Sequence, residues 1–339
     1  MTSAERAQTL AEMEAGQVQV IVGTHALLEE DVHFSRLGAV VIDEQHRFGV
    51  LQRSRLSSKG EHPHALVMTA TPIPRTLTLS VYGDLSVSVI DELPPGRKEV
   101  LTRSVAAAKK RELLNFLKKS MAAGRQVYWV CPLIEDNEDL SIPSAERRYG
   151  QLAGLFGREK VALLHGRLAA SEKEEIMLAF SRNELALLVA TTVIEVGIDI
   201  PNATVMVIEE AHRFGLSQLH QLRGRIGRGG EAGYCFLLGD PATEDGKKRI
   251  NAMCATNDGF RIAEEDLALR GPGEVCGLRQ HGVTDFKVAD LIKDRELLEE
   301  ARVEAIRLVE KDSELRGHAA LRDVLVERFK GVLDLAVTG

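Results

Sequence analysis

Short uninterrupted apolar runs recur through the first two-thirds of the chain, at Val18–Val22, Ala39–Ile42, Ala65–Met68, Val127–Val130, Val161–Leu164, Ala186–Val189 and Val205–Ile208. Runs of this length, several closing on an acidic or hydroxyl residue, fit strands covered on both faces. Between many of them the apolar positions fall at helical spacing, over Lys109–Ala122, Ala145–Phe156 and Ser171–Phe180. Strands alternating with helices predict an α/β fold built on a parallel sheet. After Asp240-Pro241 the strand pattern stops, and Lys247–Cys254, Ile262–Leu269 and Val288–Val309 predict a helical tail. Gly271-Pro272-Gly273 and Gly277 place a tight irregular loop between those helices, carrying Arg270, Arg279 and Gln280. No internal repeat and no low-complexity tract is evident in this pattern.

The rhythm breaks once, at Leu93-Pro94-Pro95-Gly96-Arg97, where two prolines and a glycine suit a domain boundary or hinge. A chain of 339 residues has material for two ordinary domains. Its 43 Lys and Arg against 50 Asp and Glu leave a net charge of −7, so nucleic-acid contact must come from local basic clusters. No apolar run approaches the roughly 20 residues of a membrane span. Met1-Thr2-Ser3-Ala4-Glu5-Arg6 has neither the basic start nor the apolar core of a secretory signal, which points to the cytoplasm. Cys131, Cys235, Cys254 and Cys276 are scattered without a C-x-x-C pair, so neither a disulfide framework nor a zinc site is indicated.

Four segments carry candidate chemistry. In Val40-Val41-Ile42-Asp43-Glu44-Gln45-His46 an apolar strand ends in two carboxylates and an imidazole. At the carboxyl edge of a parallel strand, an Asp can hold hydrated Mg²⁺ and the adjacent Glu can polarise an attacking water. An acidic helix cap with a surface His is the plainer alternative. Met68-Thr69-Ala70-Thr71-Pro72 delivers two hydroxyls to the same sheet edge, either to relay a change at a phosphate site or to satisfy local backbone. Ala190-Thr191-Thr192-Val193-Ile194-Glu195-Val196-Gly197-Ile198-Asp199 repeats that ending in hydroxyls, a glycine and carboxylates. Gln221-Leu222-Arg223-Gly224-Arg225-Ile226-Gly227-Arg228-Gly229 interleaves arginines with glycines. Glycine costs about 1 kcal/mol inside a helix, so close packing or phosphate contact explains this run better than a solvated face, with a structural ion-pair cluster as the alternative.

In order, these segments resemble motifs II, III, V and VI of the superfamily 2 helicases, nucleic-acid motors with two RecA-like domains. The runs Asp43–Gly49, Thr69–Thr76, Tyr82–Leu85, Asp91–Arg97 and Tyr128–Glu135 narrow the similarity to the RecG family of bacterial fork-remodelling DNA helicases. Asn257–Phe260 and Asp266–Glu274 resemble the helical-hairpin translocation motif that this family shares with the transcription-repair coupling factor. The resemblance covers essentially the whole chain. It implies tandem RecA-like parallel-sheet domains, the first incomplete over about 1–96, the second over about 97–245, and a carboxyl-terminal helical hairpin module over 246–339.

The resemblance also implies roles. Asp43 and Glu44 would hold Mg²⁺, largely through water, and position the attacking water, with Gln45 and His46 coupling that site to DNA. Gln221, Gly197 and Asp199 would lie near ATP, and Arg225 and Arg228 would act on its phosphates, Arg228 as the arginine finger. Thr24, His25, Thr69, Thr71, Thr191, Thr192 and Glu195 would contact or couple to DNA. Arg249 would sit on a hairpin helix and Gln280 on the loop returning toward the motor. The implied partners are branched double-stranded DNA, meaning forks and four-way junctions, and the amino-terminal half of the same protein, with no membrane. One feature departs from the family: no G-x-x-x-x-G-K-[ST] is present, and Gly246-Lys247 is followed by Lys248. In the family the P-loop and a wedge domain precede the stretch matched here, so a carboxyl-terminal portion, inactive alone, is expected. A coupling-factor translocase and a non-catalytic DNA- or partner-binding remnant are the rival expectations.

Overall fold

The computed structural model describes residues 2–29, 31–44, 59–60, 63–69, 86–90, 92, 94–132, 138–191, 200–270 and 294–336. The chain divides into two compact units, one formed by 1–71 with 299–339 and the other by 72–298.

In the first unit, helix α1 (Ser3–Glu14) opens on a capping box. Glu5 N–H donates to Thr2 Oγ1 at 3.3 Å and Thr2 N–H donates to Glu5 Oε2 at 2.6 Å, which occupies two amides the helix itself cannot bond. Strands β1 (Ala39–Ile42) and β2 (His64–Val67) pair in parallel, Ile42 opposite Val67. Ile42 and Leu28 are buried together, with Val40 and Val67 packed against them. The expected strand Val18–Val22 is not one: the backbone there is irregular, and Val20 and Val22 are 82% and 92% exposed. Apolar residues make a strand only where a neighbouring strand and a covered face receive them, and among the described residues neither is supplied.

The second unit is built on a six-stranded, wholly parallel sheet in the order β3-β8-β7-β4-β6-β5. Its strands are β3 (Val100–Val105), β4 (Gln126–Val130), β5 (Val161–Leu164), β6 (Leu187–Ala190), β7 (Ala203–Glu209) and β8 (Gly233–Leu238). Side chains alternate between two cores. Val127, Trp129, Leu187, Val189, Val205 and Val207 meet Leu113 and Leu117 of α2 (Lys110–Ala122) and Ala145 and Leu152 of α3 (Glu138–Phe156). Tyr128, Val130, Leu188, Ala190, Met206 and Ile208 face the other core, to which α4 (Ala170–Ser181) contributes Phe180. Helices α5 (Leu216–Arg223), α6 (Glu244–Ala255) and α7 (Gly259–Arg270) complete that face through Leu219, Leu222, Ile250, Met253 and Ile262. With both faces covered, continuous apolar runs are what the strands require.

Helix α3 begins at Glu138, seven residues before the expected Ala145, and carries Pro143 inside it. Of the expected tail helix Val288–Val309, residues 288–293 lie outside the described residues; the described part falls in α8 (Arg295–Lys311), and α9 (Ala319–Ala336) comes after it. Among the described residues no helix is long and apolar enough to cross a membrane.

Candidate functional site

Parallel pairing decides where the first set of candidates emerges. Asp43 and Glu44 leave β1 at the edge where Met68 and Thr69 leave β2, and Met68 N–H donates to Ile42 O at 2.8 Å across that edge. Asp43 is exposed, Glu44 and Thr69 half-buried. Glu44 is left-handed at φ 53°, an uncommon conformation for a residue with a long side chain. Its N–H donates to Asp43 Oδ1 at 2.9 Å. That leaves Asp43 Oδ2 at an exposed strand end, and a hard oxygen donor of this kind fits Mg²⁺, which keeps most of its waters. Thr24 is exposed and caps a one-turn 3₁₀ helix, His25–Leu28, without a side-chain cap bond. Gln45, His46 and Thr71 lie outside the described residues.

The arginine segment is explained by packing more fully than its sequence suggested. Helix α5 ends at Arg223, so the glycines come after the helix instead of interrupting it. Gly227 is left-handed at φ 72°, and a Cβ on Gly229 would collide with the Pro201 carbonyl. Arg223 is only 3% exposed. Its guanidinium donates to the carbonyls of Met253 at 3.0 Å, Thr256 at 2.8 Å and Asn257 at 3.3 Å, which caps the end of α6 and the turn into α7. Arg223 therefore belongs neither to a phosphate site nor to an ion-pair cluster. Beside it, burial, aided by the Arg223 charge, pulls the His220 imidazole down to about 4.

Gln221 and Arg225 are half-buried and Arg228 is exposed. Arg228 Nε donates to Gly224 O at 3.1 Å, and Arg97, from the Pro-Pro-Gly break, reaches the same carbonyl at 3.0 Å. Thr191, at the carboxyl end of β6, is fully buried; its amide donates to Leu164 O, and its hydroxyl has no partner among the described residues. Arg249 projects from α6 and donates to His212 O at 3.1 Å and Phe214 O at 3.3 Å. Thr192, Glu195, Gly197, Asp199 and Gln280 lie outside the described residues.

Sequence reasoning missed one charged cluster altogether. At the end of β7, Glu209 accepts from Arg148 Nε at 2.7 Å and Trp129 Nε1 at 3.0 Å, pairs with Arg148 Nη2, and lies 3.7 Å from Lys110 Nζ. Burial pulls the Lys110 ammonium below its usual range against the opposing pull of Glu209. The missed signal was a repeat. Val41-Ile42-Asp43-Glu44-Gln45-His46-Arg47-Phe48-Gly49 recurs as Val207-Ile208-Glu209-Glu210-Ala211-His212-Arg213-Phe214-Gly215, differing only at Asp43/Glu209 and Gln45/Ala211. The expectation of no internal repeat is thus corrected. The backbone repeats too: Glu210 is left-handed at φ 47°, as its counterpart Glu44 is at 53°.

Three family models match along the chain: DEAD/DEAH box helicase over 1–79, helicase conserved C-terminal domain over 108–230, and ATP-dependent DNA helicase RecG, domain 3, C-terminal, over 256–337. The chain is 48% identical over 332 residues to the ATP-dependent DNA helicase RecG of Bacillus subtilis, covering 97% of this chain and 48% of that protein. Against the Synechocystis protein of the same name it is 49% identical over 332 residues, covering 98% and 40%. A solved structure of RecG bound to a three-way DNA junction superposes with a TM-score of 0.66 at 49% identity, over 88% of this chain and 38% of that one. A Mycobacterium smegmatis helicase Lhr structure, at 15% identity and a TM-score of 0.52 over 76% of this chain and 36% of that one, shares the fold. The chain spans about half or less of the length of the RecG relatives it matches. Matched in sequence order across the helicase and RecG-specific segments, and in three dimensions by a RecG structure, the chain belongs to the RecG family of DNA helicases.

Proposed function

We propose that this chain is the carboxyl-terminal motor portion of an ATP-dependent DNA translocase that reverses stalled forks and migrates branched junctions. The observation that supports this function is the double attachment of the α6–α7 helix pair: Arg223, in the arginine segment, holds the carbonyls of Met253 and Thr256 at the end of α6, and Arg249 of α6 holds the turn after β7. Asp43 and Glu44 hold Mg²⁺ and orient water, and Gln45 and His46 link that chemistry to DNA. Gln221, Gly197 and Asp199 serve ATP binding, and Arg225 and Arg228 stabilise charge on the transferring phosphoryl group. Mg²⁺ held there would supply charge neutralisation for the transferring phosphoryl group. Thr24, His25, Thr69, Thr71, Thr191, Thr192 and Glu195 face the DNA backbone or relay to it, while Arg249 and Gln280 transmit motion. The functional divisions are 1–96, 97–245 and 246–339.

The sequence holds no Walker A loop, and the phosphates need such a backbone cradle and its lysine. The chain by itself is accordingly inactive and gains activity from a P-loop-bearing amino-terminal segment. DNA-stimulated ATP hydrolysis, measured on the 339-residue chain alone and with that segment from a RecG relative, tests this. Negligible turnover alone and turnover abolished by Glu44→Gln when combined are expected. Robust turnover by the chain alone would overturn the division of labour.

A further inference from the structure

The repeated strand end makes Glu209 the counterpart of Asp43, yet the two acids have opposite surroundings. Asp43 is exposed. The Glu209 side chain is only 16% exposed and is met by the Arg148 guanidinium, the Lys110 ammonium and the Trp129 indole N–H. Both cations also lie 5.6 Å from the centroid of the Trp129 ring, one from α2 and one from α3. A carboxylate withdrawn from water requires a counter-charge and filled hydrogen-bonding positions, and this one has both. One added methylene in Glu209 relative to Asp43 carries the carboxylate back among these groups.

The residues after Glu209 form a turn. Glu210 is left-handed and pairs with Arg213 at 3.1 Å. Residues Ala211–Arg213 form one 3₁₀ turn. His212 O and Phe214 O, the two carbonyls this turn presents, receive Arg249 of α6. A cavity of about 310 Å³, lined by Lys110, Glu209, Glu210, His212, Gly239 and Asp240 among others, lies beside the cluster.

We propose that Arg148 and Lys110 take the place of a divalent cation in a second, permanently neutralised copy of the carboxylate strand end. Glu209 is thereby a positioning residue: it fixes the Glu210–Phe214 turn on which Arg249 seats helix α6. On the proposed function, Asp43 in the first copy would hold an exchangeable cation; the second copy keeps its own and serves as a fixed mount.

The test uses the 339-residue chain and its single tryptophan. Trp129 donates directly to Glu209, so Tb³⁺ bound there is excited through the indole, whereas Tb³⁺ at Asp43 has no tryptophan within its own strand end. Wild-type protein should give no tryptophan-sensitised Tb³⁺ emission. The double variant Lys110→Met, Arg148→Met should give saturable emission. Its α6 amides should exchange roughly tenfold faster without metal, the scale of losing one hydrogen bond to a charged group, and recover with added Mn²⁺. Equal emission from wild type, no emission from the variant, or α6 exchange that neither rises nor recovers would each overturn the proposal. If the double variant does not fold, Glu209→Gln keeps the shape and removes the charge. Faster α6 exchange insensitive to Mn²⁺ then supports the mount, and unchanged exchange refutes it.

Discussion

At the scale of single residues, burial has assigned the titrating groups of the second unit. His220 is held neutral in the fold, with its pKa drawn to about 4 first by burial and then by Arg223. In the unfolded chain the same imidazole titrates near 6.5. Between those values the unfolded state binds a proton that the folded state does not, so stability is complete above about pH 6.5 and declines as pH falls toward about 4. The loss reaches at most roughly 3 kcal/mol. Urea midpoints measured across that window should fall with acid in wild type and fall less steeply in His220→Gln; identical slopes would remove His220 as the cause. The thiols obey the same logic. Cys131 and Cys235 are pushed up to about 12 by burial, whereas Cys254 is exposed. Of these three, iodoacetamide should label Cys254 first at neutral pH, as peptide mass spectrometry would show; early labelling of Cys235 would mean that the α6 side of the core opens readily.

At the scale of elements, what was legible in the sequence was what local pattern controls. The central strands β4, β6 and β7 and the edge strand β5 read as unbroken apolar runs, because helices cover both faces of this sheet. Strands β3 and β8 were not legible: Val100-Leu101-Thr102-Arg103-Ser104-Val105 is an edge strand with a polar middle, and β8 starts at a glycine. Val18–Val22 failed in the opposite sense, apolar without a partner. Arg223 was visible as a residue and illegible as a role, because its three carbonyl acceptors, at Met253, Thr256 and Asn257, lie between 30 and 34 positions further along the chain. Arg223→Ala leaves those carbonyls without their donor in a buried setting and should lower stability by roughly 3 kcal/mol. Hydrogen exchange should accelerate first at the α6–α7 turn. Arg223→Lys keeps one bond and the charge and should recover part of the loss; uniform acceleration across the sheet in either variant would mean that Arg223 supports the whole core instead of that junction.

At the scale of the molecule, the placement of the candidate residues was legible where they leave the ends of neighbouring strands and illegible where three-dimensional neighbours decide it. Asp43, Glu44 and Thr69 share a strand edge because β1 and β2 run parallel, as their spacing suggested. The ion cluster on Glu209 draws on residues from 110 to 209, and only the repeated Ile-Asp/Glu-Glu-x-His-Arg-Phe-Gly segment hinted at it. The proposed function requires fuel use to be separable from movement, and two arginines of the second unit allow that separation to be tested. Arg228 lies in the loop after α5, bonded to Gly224 O, whereas Arg249 lies on α6, bonded to the turn after β7. An arginine acting on phosphoryl charge works in the transition state, while DNA affinity is spread over many phosphate contacts. In the chain combined with a P-loop-bearing segment, Arg228→Ala should therefore slow ATP hydrolysis by about a thousandfold with little change in DNA binding. In the proposed division of roles Arg249 has no part in phosphate chemistry, so Arg249→Ala should keep most DNA-stimulated hydrolysis while losing most fork reversal. Both activities must be measured on the same preparations. If Arg249→Ala lowers them in parallel, the α6 contact supports folding and not transmission; if Arg228→Ala weakens DNA binding as much as hydrolysis, that arginine contacts DNA instead of nucleotide.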